Sequence, residues 1–378
     1  MPDQSHQSKS AGLAGRYQRQ TLLPDIGERG QAALASSRVV ILGCGALGTV
    51  LSELLTRAGV GLKASGGWIR IIDRDIVEPS NLQRQTLFTE ADALEGRPKA
   101  VAATEALARI NSSTDLQARV ADFNHLTGAR LASCDGDSDR PHVLLDGTDN
   151  FEARLLLNDL AVREAIPMVY AGAVGTRGML MTVLPPKDSA PWQTGPCLRC
   201  ILDQPPAPGS TPTCDTVGVL GTVTGAVASF AATEAIKILV GRFDLLRRHL
   251  LAFDPWNTQF SRIDAGPDSR VPDCPCCAQR KFEYLESDAP VAPASLCGSG
   301  AIQVAPPRQG LKLDLESVAR TLAPASDQPV HAMPFLVRCP LRDPSGVELT
   351  VFADGRAVFK GLTDPDRARA LYSRLLGG

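Results

Sequence analysis

Net charge, histidine and, over the first dozen residues, apolar side chains are all scarce in this 378-residue sequence. Lys and Arg number 39 against 41 Asp and Glu, a formal net charge of −2. That leaves no electrostatic footprint for nucleic acid or an acidic lipid surface. The opening MPDQSHQSKSAG has no apolar h-region, so it does not read as a signal peptide; a short disordered tail over residues 1–15 fits it better. The five histidines are scattered at spacings that match no metal motif, and there are no internal repeats. The most apolar run, residues 218–240, carries Glu234 and Lys237, as a core helix can and a membrane span rarely does. A cytoplasmic chain with no membrane partner is expected. Cysteine is not scarce. Ten of them in such a chain point to metal or thiol chemistry rather than a disulfide framework.

The length suggests two domains, and the apolar and charged fractions of 44% and 21% are ordinary for a globular protein. RVVILG (residues 38–43) is a β-branched run ending at glycine, which reads as a buried strand. Residues 46–58 then show helical periodicity, with Leu47, Val50, Leu51, Leu54 and Leu55 on one side. WIRIID (68–73), HVLLDG (142–147), PMVYAG (167–172) and GMLMTV (178–183) read as further strands, and 99–111 and 154–164 as helices. This alternation predicts an α/β fold with a mostly parallel sheet and helices on both faces. Residues 203–213 (DQPPAPGSTPT) form a proline-rich loop, and 285–307 reads as a linker. Beyond it, PFLVRC, VELTVFA, an Asp354-Gly355 hairpin signal, RAVFKG and a capped terminal helix predict a small α+β appendage over 308–378.

Gly43-Cys44-Gly45-Ala46-Leu47-Gly48 is a G-x-G-x-x-G set between a strand and a helix, where glycines let phosphates approach the helix N-terminus. Asp73 follows 25 residues after Gly48 at the end of the next strand, where an acid can bind ribose hydroxyls. The loop alone does not separate NAD from ATP. DRDIVEPSNLQRQ supplies Asp73, Asp75, Ser80, Asn81, Arg84 and Gln85, and GRPKA supplies Lys99. A hydride transferase has little use for Arg, Asn and Lys converging near phosphates. A nucleotidyl transfer does, because charge builds on the α-phosphate and pyrophosphate must leave. DGTDNFEAR adds Asp146, Asp149, Asn150 and Arg154 past a strand end, where carboxylates suit Mg²⁺. Cys197 and Cys200 form one C-x-x-C and Cys274 and Cys277 another, matching a closed tetrahedral zinc site; Cys276 competes with Cys277 for the fourth position.

In this order the motifs resemble the MoeB, ThiF and HesA adenylyltransferases, relatives of the ubiquitin-activating enzymes. The resemblance runs from RYQRQTLLPDIG at residues 16–27 to about residue 280, and includes CDTVGVLG from Cys214 onward. It implies a Rossmann-like adenylation domain over 16–284, with ATP on the glycine loop and an aspartate at Asp73 on the ribose. The residues at Asn81, Arg84 and Lys99 would hold phosphates, Asp149 would bind Mg²⁺, and the two C-x-x-C pairs would bind structural zinc. Gly43, Gly45, Ala46, Gly48, Asp75, Ser80, Gln85 and Asn150 complete the expected nucleotide site. Arg19 would reach the triphosphate of a neighbouring subunit, which implies a homodimer. The implied substrate is the C-terminal glycine carboxylate of a ubiquitin-like sulfur carrier ending in Gly-Gly. Cys214, at the end of the proline-rich loop, is the candidate thiol for carrier chemistry beside Arg19, Arg84, Lys99 and Asp149. One departure is Ala46, where the family usually has a third glycine: the amide stays available while a methyl is added. Alternatives are a member that activates another carboxylate, a conjugation activator, and a non-catalytic nucleotide-binding scaffold; retention of the charged residues counts against the last. Cys339-Pro-Leu-Arg-Asp-Pro does not match a rhodanese loop, so no rhodanese is expected. Gly377-Gly378 reads as a flexible end after a helix.

Overall fold

Parallel strands sandwiched between helix layers are apolar on both faces, and the two central runs of this sequence are of that kind. β1 (Arg38–Leu42) and β2 (Trp68–Ile72) are almost wholly buried and pair in parallel. The computed structural model describes residues 15–132, 134, 139–202, 214–287, 294–296, 300–306 and 311–377, with backbone alone at 214–215 and 294–296. The tail at 1–14 and the proline-rich loop at 203–213 lie outside the described residues. The chain divides into two compact units, Met1–Cys214 with Val219–Glu286, and Ser287–Gly378 with Asp215–Gly218.

The first unit is built on an eight-stranded sheet of order β3-β2-β1-β4-β5-β6-β7-β8. Its remaining strands are β3 (Leu116–Arg119), β4 (Val143–Asp146), β5 (Met168–Val174), β6 (Arg177–Val183), β7 (His249–Asp254) and β8 (Gln259–Asp264). The five from β3 to β5 are parallel, as the alternating pattern predicts. The last three add antiparallel pairings, with β6 returning directly from β5. β8 escapes a sequence reading because all six residues of QFSRID are exposed, so no apolar alternation marks them.

Short helices α1 (Gln18–Thr21) and α2 (Gly27–Ala35) precede the sheet. On one face lie α3 (Ala46–Arg57), α4 (Lys99–Ile110) and α6 (Gly221–Leu239), sharing a core that includes Leu51, Leu55, Leu107, Val227 and Ala231. On the other lies α5 (Phe151–Arg163), packed through Leu155, Leu156 and Leu160. Among the described residues α6 is the one helix long and apolar enough to cross a membrane. It packs against α3, β5 and β6, and its Glu234 is fully buried, bonded by Lys237 Nζ at 2.6 Å, the Thr182 hydroxyl at 3.2 Å and the Arg247 amide at 3.0 Å. A satisfied buried carboxylate of this kind belongs to a protein core.

The second unit holds a six-stranded sheet of order β11-β12-β13-β14-β10-β9. Its strands are β9 (Ala294–Leu296), β10 (Ala301–Val304), β11 (His331–Ala332), β12 (Leu336–Pro340), β13 (Glu348–Phe352) and β14 (Ala357–Lys360). β13 and β14 meet at the expected Asp354-Gly355 turn, where Gly355 takes φ +85°. Helices α7 (Leu315–Leu322) and α8 (Pro365–Leu376) close a core of Leu322, Val337, Leu349, Val351 and Phe359. α8 is capped as its sequence predicts: Asp364 accepts the amides of Asp366 and Arg367, and Pro365 opens the helix. The stretch 285–307, read as a linker, carries two strands, β9 and β10, paired antiparallel with each other. AIQV at 301–304 is β10, paired antiparallel with β14.

Candidate active site

In an open α/β sheet of this order the strand order reverses between the parallel neighbours β1 and β4, which leaves a crevice at the strands' carboxyl ends. The glycine loop, Asp73, Asp75, Gln85, Lys99 and Asp149 gather there. β1 ends at Leu42 and Gly43 turns at φ +84°, a left-handed conformation that favours glycine. A Cβ on Gly43 would lie 2.7 Å from the Gly147 carbonyl oxygen, and one on Gly48 would lie 1.9 Å from the Gly43 carbonyl oxygen. Both glycines are therefore fixed by packing within the protein. Gly45 is different. Its φ is −87°, and among the described residues a Cβ there meets only Gln85 Nε2 at 3.9 Å. Gly45 caps α3 and Ala46 is its first residue, so the unpaired amides of that first turn face outward from the loop.

Asp73 braces the same loop. Its Oδ2 accepts the Cys44 amide at 2.6 Å and its Oδ1 the Asp75 amide at 2.7 Å. Each oxygen keeps a second lone pair for a hydroxyl donor. Burial raises the Asp73 carboxyl, opposed by the Lys99 charge. The Cys44 thiol is raised too, by burial and then by Asp73, so it is a buried packing group.

Lys99 is the most informative side chain. It opens α4, where the helix dipole disfavours a cation, and it is only 8% exposed. Burial pulls it down, yet Asp75, Asp73 and Asp149 outweigh burial and hold it above the ordinary lysine range. Its Nζ lies 3.1 Å from Asp75 Oδ2. A charged lysine kept at a doubly unfavourable position, beside a helix N-terminus that binds anions, points to a polyphosphate.

The Pro79–Asn81 turn carries the next group. Asn81 Oδ1 accepts the Glu78 amide at 3.0 Å and its Nδ2 approaches the Ser80 hydroxyl at 3.5 Å. The half-buried Arg84 donates to the Ser80 carbonyl at 2.9 Å. Gln85 is 3% exposed, and its Oε1 has no hydrogen-bond partner among the described residues. A buried acceptor left open costs about 1–3 kcal/mol, and it fits a site awaiting the donors of a nucleotide.

The acidic turn departs from expectation in two places. Asp146 was a metal candidate on its spacing, but it is fully buried and bonded by Arg154 Nε at 2.7 Å and the Thr148 hydroxyl at 2.7 Å. Asn150 was expected on the nucleotide; its Oδ1 instead caps α5, accepting the amides of Glu152 at 2.8 Å and Ala153 at 3.2 Å. The helix consequently starts at Phe151, three residues before the apolar periodicity does. Asp149 is exposed, makes no hydrogen bond among the described residues, and lies close enough to Lys99 to help hold its charge. Arg19 sits exposed on α1 with no ion pair to any of these groups. The side chain of Cys214 lies outside the described residues, as do Cys297 and Gly378.

Four sulfurs form a second centre. Sγ of Cys197, Cys200, Cys274 and Cys277 lie within 4.8 Å of one another, with Cys197–Cys274 at 3.7 Å and Cys200–Cys277 at 3.5 Å. Four thiolates about 2.3 Å from one zinc stand roughly 3.8 Å apart, so this donor set fits that metal. Cys276 resolves its own ambiguity: it is fully buried, accepts from Asn158 Nδ2 at 3.4 Å, and stands outside the quartet. Asn158 Oδ1 also accepts the Leu198 amide at 2.9 Å, tying both cysteine loops to α5. Nothing in the spacing signalled Asn158.

The ThiF family model matches residues 17–276. The chain belongs to the ThiF family. A sulfur carrier protein ThiS adenylyltransferase of Bacillus subtilis (strain 168) is 38% identical over 367 residues, covering 97% of this chain and 100% of that protein. A sulfur carrier protein adenylyltransferase of Thermus thermophilus is 34% identical over 263 residues, covering 69% of this chain and 90% of its own. Of these two matches, the Bacillus one takes in nearly the whole of both units. Among solved structures, E. coli MccB with ATP aligns at a TM-score of 0.55 and 21% identity, covering 73% of this chain and 82% of that one, a likeness of fold.

Proposed function

We propose that this ThiF-family chain is an ATP-dependent adenylyltransferase that activates the C-terminal glycine carboxylate of a ubiquitin-like sulfur carrier ending in Gly-Gly. The observation that carries the reading is Lys99, a nearly buried cation held beside the glycine loop by Asp73, Asp75 and Asp149. The Bacillus and Thermus relatives, named for adenylation of sulfur carriers, support the substrate class.

The reaction asks little of general acid–base chemistry. A carrier carboxylate is already ionised at neutral pH and attacks the α-phosphorus of ATP; pyrophosphate leaves and an acyl-adenylate forms. What the site must supply is alignment and neutralisation of charge. The α3 amides at Ala46 and beyond, with Lys99, Arg84 and Asn81, bind phosphate oxygens in this reading, Asp73 takes the ribose, and Gln85 accepts a nucleotide donor. Ser80 and Asp75 line the same pocket. Asp149 is the group that would hold Mg²⁺, which when bound shields the phosphate charge. Arg19 completes the site from a second copy, so the working form is a homodimer.

The remaining assignments rest on the same reading. Residues 16–284 form the adenylation domain, and the quartet Cys197, Cys200, Cys274 and Cys277 holds a structural zinc. The unit over 308–378 serves as a docking module for the carrier, and the protein acts in the cytoplasm. Carrier-dependent ATP–pyrophosphate exchange tests the function. The wild type exchanges only with a Gly-Gly carrier present, and Asp149→Ala abolishes it; near-normal exchange in that variant would refute the assignment.

A further inference from the structure

The turn carrying Asp149 is closed on itself by one guanidinium. Asp146, the last residue of β4, accepts the Thr148 amide at 2.9 Å and hydroxyl at 2.7 Å on Oδ1, and Arg154 Nε at 2.7 Å on Oδ2. Arg154 Nη2 then donates to the Thr148 carbonyl at 2.7 Å. The guanidinium lies 4.8 Å from the Tyr170 ring centroid and 5.2 Å from that of Phe151. With Asn150 capping α5, each other polar side chain between residues 146 and 150 is engaged inside the turn, and Asp149 alone is exposed and makes no hydrogen bond among the described residues.

The turn also leans directly on the glycine loop. A Cβ on Gly43 would strike Gly147 at its carbonyl oxygen and sit 3.0 Å from the Thr148 amide, and one on Gly147 would lie 2.9 Å from the Gly43 carbonyl oxygen. No space remains between the two loops. A shift of the turn therefore moves Asp149 relative to the α3 N-terminus and to Lys99.

A buried ion pair adds little net stability over well-packed apolar residues, because desolvation offsets the attraction. Arg154 is 6% exposed and Asp146 is fully buried, so bulk stability is a poor reason for the pair. Geometry is a better one. The planar fork of arginine reaches the strand end and the turn carbonyl at once, which a lysine ammonium on its single point does not reproduce.

We propose that Arg154 is a positioning residue for Asp149: acting through Asp146 and Thr148, it fixes the acidic turn against the glycine loop and so sets the affinity for the divalent cation that accompanies the nucleotide. The inference rests on the reading of Asp149 as the metal-binding carboxylate. It is tested by titrating Mn²⁺ in the presence of α,β-methylene-ATP, with free Mn²⁺ read by electron paramagnetic resonance and thermal unfolding followed in parallel. Arg154→Lys keeps the charge and loses the fork; displacing Asp149 by a few tenths of an ångström to one ångström weakens Mn²⁺ binding about 10-fold or more. The doubly neutral Asp146→Asn/Arg154→Gln variant, which leaves no buried charge unpaired, gives the same result if Arg154→Lys folds poorly. Adding Asp149→Asn to Arg154→Lys weakens binding no further than Asp149→Asn alone, because both act on one carboxylate.

A purely structural arginine lowers the unfolding temperature and leaves Mn²⁺ affinity of the folded protein at the wild-type value, and that result overturns the proposal while Asp149 stands. Unchanged Mn²⁺ affinity in Asp149→Asn overturns the reading of Asp149, and the proposal with it.

Discussion

Gly45→Ala separates a glycine kept for the protein from one kept for the ligand. At Gly45 the backbone is on the negative-φ side, at −87°, and among the described residues the added methyl meets only Gln85 Nε2 at 3.9 Å. Alanine is a poorer N-cap than glycine, so stability falls by up to about 1 kcal/mol, a few degrees at most for a domain of this size. The ligand is affected far more. If phosphate oxygens sit against the first amides of α3, the methyl occupies their approach and removes one or two charge-assisted hydrogen bonds. At about 1.5–3 kcal/mol each, that weakens ATP binding roughly 10- to 100-fold or more. Gly43→Ala is the internal contrast. Its φ of +84° and its 2.7 Å approach to the Gly147 carbonyl place the penalty in folding. A left-handed alanine costs about 1–2 kcal/mol and the overpacking about 1–3 more. Isothermal titration with ATP beside thermal unfolding reads both quantities. Wild-type ATP affinity in Gly45→Ala would show that phosphate does not approach this helix end, and the nucleotide site would have to be placed elsewhere.

Two further outcomes follow from the cysteines. Purified protein contains one zinc per chain, and Cys277→Ser lowers both zinc content and unfolding temperature, whereas Cys276→Ser leaves the zinc in place; elemental analysis giving less than half a zinc per chain would sink the site. Cys214→Ser keeps ATP–pyrophosphate exchange and loses transfer of sulfur to or from the carrier, and full transfer by that variant would remove the cysteine from the mechanism.

The parallel half of the large sheet was legible because two-sided burial leaves an unbroken β-branched run in RVVIL and WIRII. The glycine loop was legible for a related reason: backbone approach at Gly43 and Gly48 permits no other residue. Side-chain allegiance was not. Asp146 and Asp149 stand three residues apart in one motif, and sequence offers both to a metal. Only the fold shows that Asp146 is turned inward onto Arg154 while Asp149 is left outside. Asn150 looked like a ligand-binding residue because a helix cap and a ligand contact both call for a short amide. Cys276 and Cys277 are adjacent, and spacing does not rank them; the orientation set by the Asn158 hydrogen bond does. β8, β9 and β10 were missed because the first is exposed along its length and the other two lie in Ala/Pro/Ser/Gly-rich sequence, so none carries the pattern of a buried strand.

The proposed function stands on one bond, that between AMP and a carrier's terminal glycine. Mass spectrometry of a Gly-Gly sulfur carrier after incubation with the enzyme, ATP and Mg²⁺ measures that bond directly. The expected product is a carrier heavier by one AMP on its C-terminal peptide, with no such species from a carrier lacking its last glycine or from Asp149→Ala enzyme. Carriers that stay unmodified while the chain adenylates a free peptide or a small carboxylic acid would contradict the proposed function.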